Sequence, residues 1–498
     1  MMQLVNTASH HDIPSYWLDR AGVCTGTLTF AVGCRNEPPT MAGITHLVEH
    51  LVLRLAQPVP NIHGGTVKVD SVEFFSSGDP RAVANFLNTI ASVISGFASV
   101  TEEDLALEKL VIEAEDPRAF HAVSGGLLTY RFGASGVGAA QFGAPATSGF
   151  TRTEVLEWAK RWLTVENAAL TFIGRLPELL DVRLPSGGIV GREQSSPVVT
   201  TPRLIESTKG GVALSFSVPL QQAGLLGEAL RFELLSRLRH ARGLIYSVEV
   251  FTTQIDGAWC QLDLILDPIE KNVVAALRAS VDAVRDVAAN GFSETAVQSA
   301  QSVRVTELGW ESPAASEYLD RLAIDGLLGR VTPSREALLD QAVSLSSLEL
   351  TTALGESLAS LIVACDRDVN LSKPDVKALA MTIDRYDIWQ QHDGKKGRHR
   401  HEYGEGAIGY RKWRSRSSNA ALWLTKSHLL KRESGEKSSI RLADIVVVGD
   451  RSCGCISLMD RWGRSLELDV DQWRGGKKLR RRLLKAFPVE IVRAFPEE

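Results

Sequence analysis

The 498-residue sequence holds only six cysteines, Cys24, Cys34, Cys260, Cys365, Cys453 and Cys455. They form no C-x-x-C pair, and they are too few to frame so long a chain with disulfides, which suits a reducing, cytoplasmic compartment. Cys453 and Cys455, one residue apart in an expected strand, read as a buried thiol pair rather than a metal site. No stretch reaches eighteen consecutive apolar residues, so nothing is expected to span a membrane. The opening MMQLVNTASHHDIPSYWL lacks a basic region followed by an apolar run and does not read as a signal peptide; His10 and His11 read as surface residues of a polar leader. Charge of one sign is also missing: 55 Lys and Arg stand against 59 Asp and Glu, a net −4. The chain as a whole therefore advertises neither a nucleic-acid nor a membrane partner. Hydrophobic residues at 44% and charged residues at 23% are ordinary for a soluble globular protein, and the length allows two to four domains.

Against that background one stretch stands out. Gly43–Arg54, GITHLVEHLVLR, holds His46, Glu49 and His50 in the order H-x-x-E-H. Residues three and four apart share a helix face, so the three side chains point to one spot. Two imidazoles and a carboxylate there can bind zinc and leave a base beside it. About 0.02 such matches are expected by chance in a chain of this composition. Ile44, Leu47, Val48, Leu51 and Val52 make the segment apolar, where unpaired polar groups are costly.

A zinc site needs a third protein ligand, and Thr101–Pro117, TEEDLALEKLVIEAEDP, offers one. Thr101 with Asp104 reads as a helix start and Pro117 as a stop. Glu108 and Glu115 are seven apart, two helical turns, and so share a face. Glu115 is the choice for the third ligand, with Glu108 one layer out, orienting a ligand or the substrate. The alternative is a solvated acidic helix, since Glu102, Glu103, Asp104 and Glu113 are there too.

GITHLVEHLVL followed by EKLVIEAE resembles the insulinase/pitrilysin family of zinc metallopeptidases, which carry H-x-x-E-H on one helix and two Glu seven apart on a later one. The resemblance implies that His46, His50 and Glu115 bind Zn2+, that Glu49 is the general base, and that Glu108 stands behind the ligands. Glu115 follows His50 by 65 positions, a shorter connection than is usual in the family. The resemblance covers about residues 20–380.

The rest of the chain reads as two related halves and a smaller tail. Thr27–Gly33 is an expected strand, Arg35–Thr40 a loop, His63-Gly64-Gly65 a turn, and Thr66–Ser76 a strand. In the resembling family the strand at this point is a sheet edge that pairs with substrate. Pro80–Phe97 and Glu102–Glu115 read as helices, Thr151 with Glu154 as a capping box, and Ala168–Gly174 as a strand. The Pro-, Gly- and Ser-rich stretch that ends at Pro202 is a linker. The pattern then recurs: strand Val212–Val218, helix Leu225–Arg239, strands Val248–Thr253 and Gly257–Leu266, a helix after Ser293, a cap at Ser346 with Glu349, and the strand SLIVAC. The second half has no H-x-x-E-H, so one metal site per chain is expected. It does carry Arg239 and Tyr246, seven apart. In the insulinase-like family an Arg and a Tyr at this spacing hold substrate and stabilise the tetrahedral intermediate, which suits two hydrogen-bond donors. His240 and Arg242 read as solvated.

The tail differs. QQHDGKKGRHRHEYGEG is a basic linker containing His392, His399 and His401, and short strands follow it. GKKLRRRLLKAF closes the chain as a basic amphipathic helix. Residues 391–498 hold 24 Lys and Arg against 14 Asp and Glu. The element order resembles a pleckstrin-homology-like module. Its basic helix can touch anionic lipid, although such a face is more often simply solvated.

The expected fold class is α+β: two related half-domains of antiparallel sheet backed by helices, plus a small β-rich C-terminal domain ending in a helix. The expected divisions are 1–182 with the zinc motif, a linker at 183–203, a second half at 204–388 without the motif, a basic linker at 389–405, and the β-rich domain at 406–498. The expected function is a zinc-dependent endopeptidase acting on peptides or small unfolded polypeptides. By the resemblance, two such chains, identical or different, would close into a chamber. The alternative is a non-catalytic peptide-binding scaffold or partner subunit. Inactive subunits of the family usually lack part of H-x-x-E-H, whereas this chain keeps all of it.

Overall fold

The computed structural model describes residues 5–56, 61–115, 126–188, 195–207, 211–309, 313–366, 369, 371–385, 411–416, 420–433 and 436–495. The His-rich basic linker lies outside the described residues.

In chain order the first part contains strands β1 (Asn6–His10), β2 (Ile13–Leu18) and β3 (Cys24–Phe30), helix α1 (Ile44–Leu55), strands β4 (Ile62–Val67) and β5 (Val72–Gly78), helices α2 (Pro80–Ser95), α3 (Glu102–Ala114), α4 (Leu127–Phe132) and α5 (Arg152–Trp162), and strand β6 (Ala168–Ile173). The second contains β7 (Arg203–Ser207), β8 (Val212–Pro219), α6 (Ala223–Leu234), β9 (Ile245–Gln254), β10 (Trp259–Pro268), α7 (Val273–Asn290), α8 (Glu294–Gly309), α9 (Pro313–Leu327), α10 (Arg335–Ser344), α11 (Ser347–Ser357), β11 (Ile362–Asp366), α12 (Lys373–Leu379) and β12 (Thr382–Arg385). The sheets run β1-β2-β6-β3-β5-β4 and β12-β7-β11-β8-β10-β9. Five positions correspond one to one, with the same directions: a parallel pair (β2–β6, β7–β11), then three antiparallel pairings. The repeat seen faintly in the sequence is thus a repeat of topology. The sheets are mixed rather than purely antiparallel, because β6 and β11 return beside β2 and β7 after long helical connections.

Each half covers the other's sheet. In the first half α1, α2 and α5 bury Leu47, Leu51, Phe86, Ile90 and Val155 against Phe30, Phe74 and Phe172. The opposite face takes α9 of the second half, with Ala315 and Leu319 against Leu18, Tyr16 and Ile173. Reciprocally, α4 of the first half lays Leu127 and Tyr130 on Ile205, Ala213, Ile265, Ile362 and Ala364 of the second sheet. Strands covered on both faces are buried along their length, which is why β6 reads as an apolar run; β10 is buried as continuously but carries Gln261 and Asp263 inside.

Arg131 of α4 is the polar centre of this exchange. It is 1% exposed and donates to Gln261 Oε1 (3.0 Å), the Ser360 carbonyl (2.7 Å), and the Ser215 carbonyl (3.1 Å) and hydroxyl (3.0 Å). Burial pushes it down to about 10, opposed by the charge of buried Asp263. Removing one member of a buried charge network leaves the other uncompensated. Arg131→Ala is therefore expected to cost about 3–5 kcal/mol of stability, read as a lower midpoint in chemical denaturation.

The C-terminal part has two four-stranded sheets. One is β13 (Arg411–Arg414), β14 (Ala421–Leu424), β15 (His428–Glu433) and β16 (Glu436–Arg441), a meander. The other pairs β17 (Ile445–Arg451), β18 (Ile456–Asp460) and β19 (Ser465–Leu468) antiparallel. Helix α13 (Gly476–Ala486) buries Leu479 and Leu483 in the core of this part, and a short β20 (Val492–Phe495) then joins β17 in parallel. Among the described residues no helix is long and apolar enough to cross a membrane.

Three local expectations need correction. Residues 6–18 are not a leader but the hairpin β1–β2, turning at His11 and Asp12. It escaped the sequence because β1 is an exposed edge strand without polar alternation. His10 is half-buried, and His11 pairs with Asp181 at 2.9 Å. His63-Gly64-Gly65 is no turn; it lies inside β4, and the turn falls at Lys68–Ser71, closed by Lys68 N to Ser71 O at 2.7 Å. Cys453 and Cys455 are not a buried pair. They sit in the β17–β18 turn, closed by Arg451 N to Cys455 O at 3.1 Å, with Cys453 exposed.

Candidate metal centre

The centre begins with the loop before α1. Glu37, 4% exposed, accepts from the backbone N–H of Gly43 and of Thr45, both at 2.8 Å. The carboxylate thus occupies the helix N-terminus, where unpaired N–H groups and the helix dipole favour a negative charge. Burial pushes it up to about 7, opposed by these hydrogen bonds. Gly43 itself has φ +97, and a Cβ there would lie 2.6 Å from Ala144 Cβ. Two residues earlier in the same loop, Arg35 donates to the carbonyls of Ile255 (2.5 Å) and Gln254 (2.6 Å) at the end of β9 and pairs with Asp70 at 2.8 Å.

From this fixed start, α1 buries Ile44, Leu47, Val48, Leu51 and Val52 and turns His46, Glu49 and His50 toward α3. The His46 and His50 Nε2 atoms stand 3.1 Å apart, and each is 3.5 Å from a Glu115 carboxylate oxygen. These three residues form the one group of three or more metal-ligating side chains found among the described residues. Donors about 2.0–2.1 Å from a tetrahedral zinc are themselves roughly 3.3–3.4 Å apart. The 3.1 Å between the two nitrogens, and the 3.5 Å from His46 to Glu115 Oε2 and from His50 to Glu115 Oε1, fit that requirement.

The surroundings set the imidazoles up as ligands. His50 Nδ1 meets Glu108 Oε2 at 3.1 Å, which leaves Nε2 free for a metal. Arg54, one turn along α1, pairs with Glu108 Oε1 (3.1 Å) and Asp104 (3.0 Å), so Glu108 is itself held. The His46 pKa is lowered, first by burial and then by His50, which favours the neutral form a metal needs. Glu115 is the first residue past the end of α3, half-exposed. The two glutamates thus serve the same histidine from its two ring nitrogens.

Glu49 is 4% exposed, with its carboxylate 3.7 Å from His50 Nε2 and 4.0 Å from His46 Nε2. Burial pushes it up to about 7. Its other neighbour is β4, the last strand of the first sheet. A Cβ on Gly65 would lie 2.0 Å from Glu49 Oε1, so only glycine lets the strand backbone come this close.

Arg239 and Tyr246 find each other but not this cluster. The Arg239 guanidinium lies 5.2 Å from the Tyr246 ring centre. Tyr246 is exposed on β9, the terminal strand of the second sheet that corresponds to β4 in the first. Among the described residues, no hydrogen bond or ion pair joins either side chain to the histidines. Sequence reasoning missed Glu37, Arg54 and Gly65. The Gly-Gly pair beside apolar residues was the available signal for a close backbone approach, whereas a loop glutamate nine residues before a histidine carries none.

No protein-family model matches the sequence. An uncharacterized zinc protease of Mycobacterium tuberculosis is 25% identical over 315 residues, covering 53% of this chain and 69% of that protein, and one from Mycobacterium bovis matches equally. Among solved structures, a chain of complex III2 from Candida albicans superposes with a TM-score of 0.62 at 12% identity, covering 75% of this chain and 99% of that one. A protease from Helicobacter pylori gives 0.60 at 13% identity, covering 73% and 99%. A peptidase M16 inactive domain from Pseudomonas fluorescens gives 0.57 at 13%, covering 72% and 97%. The fold is thus that of M16, or insulinase-type, peptidases. Because that fold also houses an inactive domain, the site and not the fold decides activity. Here the H-x-x-E-H cluster is complete, and with Glu115 it makes up the donor set and base of a zinc metallopeptidase.

Proposed function

We propose that this chain hydrolyses peptides or small unfolded polypeptides with zinc held by His46, His50 and Glu115. The observation that carries the reading is the pair of histidine nitrogens 3.1 Å apart, each 3.5 Å from one of the two Glu115 oxygens, with Glu49 beside them. Zinc bound there supplies a Lewis acid toward a water and a peptide carbonyl. The chain's own groups do the rest. Glu49 takes a proton from the water and later gives it to the leaving amine. Glu108, held by Arg54, fixes the His50 ring. The open edge of β4 offers backbone N–H and C=O groups to an extended peptide, passing Glu49 at Gly65. Arg239 and Tyr246 are the donors that a second half would bring to the oxyanion or the substrate.

Pairing of two such chains, identical or different, would enclose the cluster in a chamber that admits unfolded peptides only. The C-terminal part, a four-stranded meander with a second four-stranded sheet and the helix α13 before its last strand, is read as a pleckstrin-homology-like module. Six free cysteines suit a cytoplasmic setting. A scaffold that merely binds peptides has no use for an intact donor set with a buried carboxylate beside it.

The test is metal analysis with cleavage of an unstructured peptide. The purified chain is expected to hold about one zinc per site, to lose cleavage on chelation and to regain it with added zinc. Glu115→Ala is expected to fold and lose the metal. A wild-type chain that takes up no zinc ends the proposal.

A further inference from the structure

The solved relatives are matched over nearly their whole length by about three-quarters of this chain, so a sizeable part of it has no counterpart in them. The C-terminal part does not hang free. It packs on several parts of the molecule, among them residues 142–154, and that segment also holds both helices of the candidate metal centre.

On the α1 side, Ala144 and Thr147 close over Gly43, the residue that starts the helix. Ala42 is buried with Phe142 and Ala134, and Val446 of β17 and Met459 of β18 pack on that cluster. On the α3 side, Lys109, the neighbour of Glu108, donates to the carbonyls of Ser148 (3.1 Å) and Phe150 (2.5 Å). On the outer side, Arg493 of β20 pairs with both Glu154 oxygens (2.9 and 3.0 Å), donates to the Gly149 carbonyl (3.2 Å), and lies 5.1 Å from the Phe150 ring centre. Its side chain is only 11% exposed. A planar guanidinium held by a carboxylate, a carbonyl and a ring has one orientation, unlike a surface ion pair.

We propose that the C-terminal part braces the metal centre, with Arg493 as the positioning residue; this rests on the zinc reading above. Gripped from outside, segment 142–154 holds α1 through Gly43 and α3 through Lys109 at the separation where Glu115 meets the two histidines. The donor most exposed to a loosened brace is Glu115, which lies past the last residue of α3; its backbone N–H is held by the Val111 carbonyl at 3.0 Å, and its carboxylate meets the two histidines. Arg54 holds α3 at Asp104 and Glu108, buried Ile112 ties its last turn to the core, and Lys109 fastens the same stretch to segment 142–154.

The test uses full-length, zinc-loaded protein and a competing chromogenic chelator. Partners one shell behind a metal ligand change its affinity by about 10–100-fold. Arg493 acts from further out, so Arg493→Ala is expected to weaken zinc binding by about tenfold, with Arg493→Lys in between. Arg480→Ala is the control. It breaks an ion pair with Asp450 inside the C-terminal part and is expected to leave zinc affinity at the wild-type value. If Arg493→Ala does not fold, Met459→Ser loosens the other contact of the brace, on the Ala42–Phe142 cluster, and is expected to weaken zinc binding in the same direction. A folded Arg493→Ala with wild-type zinc affinity overturns the brace. Wild-type protein without zinc overturns the metallopeptidase reading first.

Discussion

Glu49→Gln is expected to keep about one zinc per chain and to lose peptide turnover by about 10²–10⁴-fold, the range a positioned general base supplies. Glu49 is not one of the three closest donors. Its oxygen is 3.7 and 4.0 Å from the histidine nitrogens, whereas those of Glu115 are at 3.5 Å. An amide has the same shape, so contact with the β4 backbone survives. Nor does folding suffer from losing the charge, because burial already disfavours it, pushing the carboxyl up to about 7. What disappears is the ability to take a proton and return it. Metal analysis beside single-turnover cleavage separates the two effects. Cleavage at the wild-type rate by the zinc-loaded variant would refute the base assignment.

The five residues at the centre were legible because a helix has a fixed period. His46, Glu49 and His50 had to share a face, and so did Glu108 and Glu115. The structure adds that Glu115 lies one residue beyond its helix and still reaches both rings. The short connection between the two helices still leaves the Glu115 carboxylate within 3.5 Å of both histidines. The sheets were legible only in part. Strand β6 could be found as an apolar run, but its parallel place beside β2 is a property of topology, not of any local pattern. β1 was lost because an exposed edge strand needs no apolar face. The exchange of α4 and α9 between the halves left no local signal either, because a helix's own sequence does not say whose sheet it covers. Arg131 is the sharpest case: an arginine in a short apolar helix reads as a surface residue until Gln261, Ser215 and Ser360 are seen around it. Arg239 and Tyr246 rest on family spacing alone. They meet each other on the second sheet's edge, and their proposed partner is a substrate rather than a neighbouring side chain.

Misreading His63-Gly64-Gly65 as a turn hid the second large effect. Both glycines lie in β4, with side-chain positions on opposite faces, so the same small substitution should act differently at each. At Gly65 a Cβ would fall 2.0 Å from Glu49 Oε1 and 2.8 Å from its Cδ. Contacts that short cannot stand, so either the carboxylate swings away or the edge strand retreats. Either shift separates the base from a peptide laid along that strand, and a misplacement near 1 Å costs about 10² in rate. Gly65→Ala is therefore expected to lower kcat/KM by about 10²-fold while zinc content stays unchanged, because the nearest atoms to the new methyl all belong to Glu49, which is not one of the three donors. At Gly64 the added carbon would meet only the ring of Phe75, at 2.9 Å, on the face away from Glu49. Gly64→Ala should cost stability but keep most of the turnover per folded molecule. The comparison of kcat/KM with melting temperature for the pair decides the matter. Equal activity losses at both positions would mean that β4 tolerates no change anywhere, and that its close approach to Glu49 has no particular part in the reaction.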